Sequence, residues 1–189
     1  MTFSKEEDKL IQDCLRGKKK GQKKLYEKYA APMMGVCLRY LKNTTDAEDA
    51  LQDGFVTVFR KIDQYKKQGP LGGWIYRIMV NTALAHLKKK NKVVFQEKFN
   101  NIDSENQIVY ENKTDHIEFS QEILMEFVRA LPDKYRVVFN MYAIDGFKHK
   151  EIAESLGISE NTSKSCLLRA RKILKHKIGI YLNEQEHVR

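Results

Sequence analysis

The sequence predicts an all-α protein of two small helical domains joined by a linker, and three observations carry that prediction. Apolar residues recur at helical spacing through most of the 189 residues, and only three prolines interrupt them. Outside a short VVF at 93–95, no segment alternates as a half-buried strand does. Between Lys92 and Glu118 the apolar stripe lapses into Asn, Asp, Glu and Gln, with Asp103, Glu105, Glu111, Asp115 and Glu118 set against Lys113. The expected organisation is a bundle over 1–92, a flexible linker over 93–118 and a second bundle over 119–189. Fully extended, the linker reaches about 80 Å, enough to hold two readers about two DNA turns apart.

Helices are expected in the N-terminal bundle at 10–15, 24–41, 46–62 and 74–89. In the third, Thr45 and Glu48 stand at capping-box spacing. Ala47, Ala50, Leu51, Phe55, Val58, Phe59 and Ile62 then form its inward stripe. Glu48, Asp49, Gln52 and Asp53 remain outside. An acidic helix N-terminus suits the macrodipole, which accounts for Asp46 and Glu48 but less well for Gln52 and Asp53. A basic partner surface suits that patch, and DNA does not.

Asp63 to Gly73 reads as a polar loop ending in Pro and paired glycines, without the GK[ST] ending of a phosphate-binding loop. The helix after it turns Trp74, Ile75, Ile78, Met79, Ala83 and Leu87 inward. It leaves Tyr76, Arg77, Asn81 and Thr82 as polar and aromatic groups, followed by Lys88, Lys89, Lys90 and Lys92. Aromatic groups beside cations suit unstacked single-stranded bases.

The C-terminal bundle is expected to hold helices at 121–131 and 133–143 and then a helix-turn-helix. Glu151 to Leu156 turns Ile152, Ala153 and Leu156 inward, Gly157 ends the helix and Ser159 caps the next. From about Glu160 that helix carries Lys164, Arg169, Arg171, Lys172, Lys175 and Lys177, with no acid between Asn161 and Asn183. Leu167, Ala170 and Leu174 face inward, and the same stripe extended backwards meets the polar Ser163. Lys164, Ser165, Leu168 and Arg169 are expected together on the opposite face, mixing phosphate contacts with groups that reach base edges. A positive helix delivered by a tight turn fits a major groove.

The bulk composition agrees. A formal net charge of +9 favours an anionic partner, and 42% hydrophobic residues is ordinary for a folded domain. No apolar run is long enough to span a membrane, and MTFSKEEDKL lacks a signal core, so a cytoplasmic protein is expected. Cys14, Cys37 and Cys166 lack CxxC spacing and read as reduced, packed thiols. His86, His116, His149, His176 and His187 are scattered, with no HExxH motif. No metal, cofactor or catalytic group is expected, and the chain does not read as an enzyme.

Four blocks, DAEDALQDGF at 46–55, WIYRIMVN at 74–81, LPDKYRVVF at 131–139 and HKEIAESLGISENTSKSCLLRARKIL at 149–174, occur in that order. Together they resemble the extracytoplasmic-function (ECF) sigma factors, members of the sigma-70 family that keep only regions 2 and 4. The resemblance implies that Glu48, Asp49, Gln52 and Asp53 dock on the clamp coiled coil of core RNA polymerase. It implies that Tyr65, Lys66, Lys67, Tyr76, Arg77, Asn81, Lys88 and Lys89 read and open the minus-10 promoter element, capturing a flipped base. It further implies that Ser159, Asn161, Lys164, Ser165, Leu168, Arg169, Arg171 and Lys172 read the minus-35 duplex, and that an anti-sigma factor is a partner. The chain departs from the family at Ala85 and Lys88, where members often carry Asp and Arg, and at Ser163, where the usual residue is Val. The rival reading is a stand-alone helix-turn-helix regulator, which would leave the acidic patch without a task.

Overall fold

The computed structural model describes residues 5–90 and 120–186, and the expected linker at 93–118, with its VVF, lies outside them. The described residues are helical, with no strand among them. The chain divides into two compact units, Met1–Lys90 and Asn91–Arg189.

The first unit packs α1 (Lys5–Leu15), α2 (Lys19–Tyr40), α3 (Thr44–Lys61) and α4 (Leu71–Lys90), with a single 3₁₀ turn at Ile62–Gln64 after α3. Gly17 turns the chain between α1 and α2 at φ +67°, a conformation that a side chain would strain. The expected stripe of α3 is buried, except that Phe59 remains partly exposed. α4 packs on α3 and buries Ile75, Met79, Ala83 and Leu87 as expected, together with Leu71, Val80 and Leu84, whereas Ile78 of the expected inward set stays partly exposed. Gly54 lets these two helices approach: a Cβ there would sit 2.3 Å from the sulfur of buried Met79.

The expected starts of the first four helices are corrected, with α1 beginning at Lys5 and α2 at Lys19, ahead of the expected 10 and 24. α3 is capped by Asn43, whose side chain accepts from the Asp46 N–H at 2.7 Å, and not by a Thr45–Glu48 box. Both residues are able to cap, and Asn43 holds the place because helical geometry already begins at Thr44. α4 starts at Leu71, so Gly72 and Gly73 belong to its first turn and not to the loop. Tertiary packing overrides their breaking tendency, since a Cβ at Gly72 would lie 3.2 Å from the Tyr29 ring.

The second unit comprises α5 (Gln121–Arg129), α6 (Asp133–Phe139), α7 (His149–Leu156) and α8 (Glu160–Glu186). α6 runs into a π-helical turn at Asn140–Ile144, where the apolar spacing predicts a continuous α-helix to Ala143. Arg136 is buried in α6, where its Nη1 donates to Asp133 Oδ1 at 2.8 Å and to the Leu131 carbonyl at 3.3 Å. Leu131, Val137, Val138, Met141, Ile152, Leu167 and Ala170 form the core.

The turn between α7 and α8 follows the sequence reading closely. Gly157 is left-handed at φ +70° and its N–H returns to the Ala153 carbonyl at 2.9 Å. Ser159 Oγ accepts from the Thr162 N–H at 3.0 Å and caps α8. The three thiols are free and buried, and burial pushes those of Cys37 and Cys166 up to about 11.

Candidate nucleic-acid interface

Three surfaces carry the candidate residues, two on the first unit and one on the second. On α3, Glu48, Asp49, Gln52 and Asp53 all point outward from the buried stripe. Asp53 Oδ2 lies 2.8 Å from His86 Nε2 of α4, which ties the acidic face to the neighbouring helix.

The loop between the 3₁₀ turn and α4 forms the second surface. Tyr65 donates its hydroxyl hydrogen to the Gly69 carbonyl at 2.5 Å, and its ring lies 5.6 Å from Trp74. The folded-back loop and the first turns of α4 enclose a cavity of about 430 Å³. Of the residues expected at the minus-10 element, Tyr65, Lys66 and Arg77 line it, with Gln64, Gln68, Gly69, Pro70, Gly73 and Trp74. Asn81 is exposed one turn beyond Arg77 on the same face.

The other minus-10 candidates stand apart from this cavity. Lys67 holds a left-handed φ of 56° and pairs with Asp8 of α1. The Tyr76 hydroxyl accepts from an Arg39 guanidinium N–H within the bundle. Lys88 and Lys89 are exposed near the far end of α4, where Lys89 lines a smaller cavity with Leu41, Asp46 and His86. The inward reading missed the partly exposed Trp74 as a cavity wall, although its position directly after the loop was a signal for it.

On α8, Leu167, Ala170 and Leu174 are buried as expected, and Ser163 is buried with them. Its Oγ lies 2.9 Å from His149 Nδ1, so the polar group in the stripe has a partner. His149 stacks on Tyr142 with ring centroids 4.5 Å apart, and the Arg171 guanidinium lies 5.9 Å from the centroid of the Tyr142 ring. Neither Tyr142 nor His149 stands out as a site residue in the sequence. Asn161, Lys164, Leu168 and Lys172 are exposed on the outer face, where Leu168 stands 67% exposed. Ser159 is exposed at the cap, and Ser165 is partly covered.

Arg169, expected on the outer face, is half-buried, with Nη1 3.5 Å from the Tyr135 hydroxyl of α6. At ~100° per residue it lies about 160° from Leu167 and about 140° from Leu174, an outward phase, so it is the neighbouring helix and not the phase that covers it.

Among the described residues, no three His, Cys, Asp or Glu side chains gather to hold a metal, and no helix is long and apolar enough to cross a membrane. The Sigma-70 region 2 family model matches residues 25–93, and the Sigma-70, region 4 model matches residues 121–174. The chain belongs to the sigma-70 family. Its acidic helix and loop cavity fall within region 2, and its helix-turn-helix falls within region 4. The ECF RNA polymerase sigma-E factor of Haemophilus influenzae is 25% identical to this sigma-70 family member, over 89% of this chain and 93% of that one. The RNA polymerase sigma-H factor of Pseudomonas aeruginosa is 22% identical, over 97% and 100%. In fold, the chain is similar to the sigma factor RpoE solved in complex with the anti-sigma factor NepR from Bartonella quintana. That likeness has a TM-score of 0.51 at 18% identity and covers 84% of this chain and 96% of that one.

Proposed function

We propose that this protein is an ECF sigma factor that binds core RNA polymerase and directs it to promoters with minus-35 and minus-10 elements. The observation that carries the reading is the order of two sigma-70 regions along one chain, each bearing a surface suited to its task. Glu48, Asp49, Gln52 and Asp53 offer an exposed carboxylate and amide face to the clamp coiled coil. Like-charge repulsion keeps that face away from DNA.

The cavity walled by Tyr65, Trp74 and Arg77 is the receptor for a base flipped from the minus-10 element. Its aromatic walls offer stacking that offsets the cost of unpairing, and Lys66 and Arg77 meet the backbone charge. Asn81, on the same face as Arg77, is placed to hydrogen-bond the edge of a neighbouring base. Region 4 lays α8 in the duplex major groove, with Lys172 on phosphates and Asn161, Lys164, Ser165 and Leu168 towards base edges. The two domains divide the work, 1–92 for polymerase and minus-10, 119–189 for minus-35, with 93–118 as the tether.

The protein acts by binding and positioning, without a catalytic step or cofactor of its own, and it works in the cytoplasm where core polymerase is found. An anti-sigma factor is its expected inhibitor, as NepR accompanies the Bartonella sigma factor. Replacing Asp49 and Asp53 by Lys tests the docking face. Core binding should fall by more than tenfold while the far-UV circular dichroism is unchanged, because both positions are exposed and reversal places like charges together. Unchanged core affinity would remove this face from the mechanism.

A further inference from the structure

One strongly charged surface of the first unit takes no part in the docking face or the loop cavity. Arg16 to Lys28 holds seven cations in thirteen residues, Arg16, Lys18, Lys19, Lys20, Lys23, Lys24 and Lys28, against the single acid Glu27. All seven are exposed, at the α1–α2 turn and along the first turns of α2. Gly21 and Leu25 bury the opposite side of that helix, and a Cβ at Gly21 would lie 2.6 Å from Asp13 Cβ, so the stripe is fixed facing outward. Only part of it is neutralised: Lys18 pairs with Asp13 at 2.8 Å, Lys28 with Glu7 at 3.6 Å, and Lys23 reaches Glu27 at 3.7 Å. Lys19, Lys20 and Lys24 pair with no described carboxylate.

We propose that the outward face of α2, through Lys19, Lys20, Lys23 and Lys24, is a binding surface for the phosphate backbone of duplex DNA. From Lys19 to Lys28 the helix runs about 14 Å, at ~1.5 Å per residue, a length over which a duplex presents about eight phosphates. A row of lysines suits a backbone contact that reads no sequence. Protein–protein interfaces, by contrast, are depleted in Lys. The stripe also adjoins the loop cavity. Glu7, which pairs with Lys28, accepts from the Tyr29 hydroxyl at 2.8 Å, and the Tyr29 ring packs on Gly72 beside the cavity-lining Gly73. Asp8, next along α1, holds Lys67 of the loop. A duplex held on the stripe therefore leads towards the loop that receives the flipped base. The inference rests on the promoter-opening reading only for where that DNA lies, not for whether it binds.

The experiment is fluorescence anisotropy of the full chain with a random-sequence duplex of about 40 base pairs, titrated between about 50 and 200 mM salt. This duplex carries no promoter and no polymerase is present, so the result stands or falls apart from the sigma-factor reading. Changing Lys19, Lys20, Lys23 and Lys24 together to Gln should flatten the slope of log affinity against log salt by about 2 to 4, at roughly 0.9 for each phosphate that the protein no longer neutralises. Affinity at the low-salt end should fall at least tenfold. Lys20→Gln with Lys23→Gln, and Lys19→Gln with Lys24→Gln, should each give about half the change in slope, and the fourfold change to Arg should preserve it. An unchanged slope in the fourfold Gln variant overturns the proposal, as does an equal loss in the Arg variant. Loss of binding to polyglutamate without loss of binding to DNA would assign the stripe to an acidic protein instead.

Discussion

Ser163 sits where the inward stripe of α8 calls for an apolar side chain, and the cost of burying its hydroxyl is met by His149. The arrangement has a consequence in pH. Burial first, and then the charges of Lys164 and Arg171, hold the His149 imidazole below its ordinary value, with Glu160 pulling the other way. The unfolded chain therefore takes up a proton at a higher pH than the folded one. The contribution of this neutral histidine to stability is complete above about pH 6.5 and is lost as pH falls through the lowered folded value. His149→Gln keeps a hydrogen-bonding group beside Ser163 but cannot titrate. Its melting temperature should decline less between about pH 7 and pH 5 than that of the parent chain. Equal declines in the two proteins would remove His149 from the pH response.

Helix α8 separates two arginine-and-lysine roles that its sequence merges. Lys164 is exposed on the outer face, whereas Arg169 is half-buried against Tyr135. Lys164→Glu should leave folding and core binding intact and weaken use of the minus-35 element by about 1 to 3 kcal/mol if the contact reaches a base edge. Arg169→Glu should lower the melting temperature as well, since it disturbs the α6–α8 contact. Transcription from promoters with intact and scrambled minus-35 sequences, read beside thermal melts, separates the two effects. Equal loss by Lys164→Glu on both promoters would mean that α8 is not the upstream reader. The inward residues of α3, α7 and α8 were legible because apolar spacing of about 3.6 needs only a helix to become a buried face. Helix starts were less so: Asn43 and Thr45 are both competent caps, and the choice depends on where the chain enters the bundle. The π turn at Asn140–Ile144 was not legible at all, because one extra residue in a single turn barely alters the apolar period. Of the residues that line the loop cavity, the sequence singled out Tyr65, Lys66 and Arg77 but placed Trp74 on the inward face. A wall built from a folded-back loop and a helix's first turn depends on side-chain direction, which spacing does not specify.

Each unit has its own core, so the division into two domains follows from two separate sets of apolar stripes. What the two have in common is a set of exposed cations, along α2 in the first unit and along α8 in the second, whereas α3 exposes carboxylates. A formal net charge of +9 over the whole chain gives weak, salt-sensitive attraction to any DNA and little discrimination. On the proposed function, selectivity arises when core polymerase holds both modules on one promoter. The most direct measurement is a mobility shift at physiological salt, with the protein alone, core alone and the two together, on a promoter fragment mapped from transcription starts after overproduction of this protein. A sequence-selective shift should require both components, and permanganate should detect unpaired thymines at minus-10 only when both are present. Tight, sequence-selective binding by the protein alone, unaffected by core polymerase, would contradict the account and favour a stand-alone regulator.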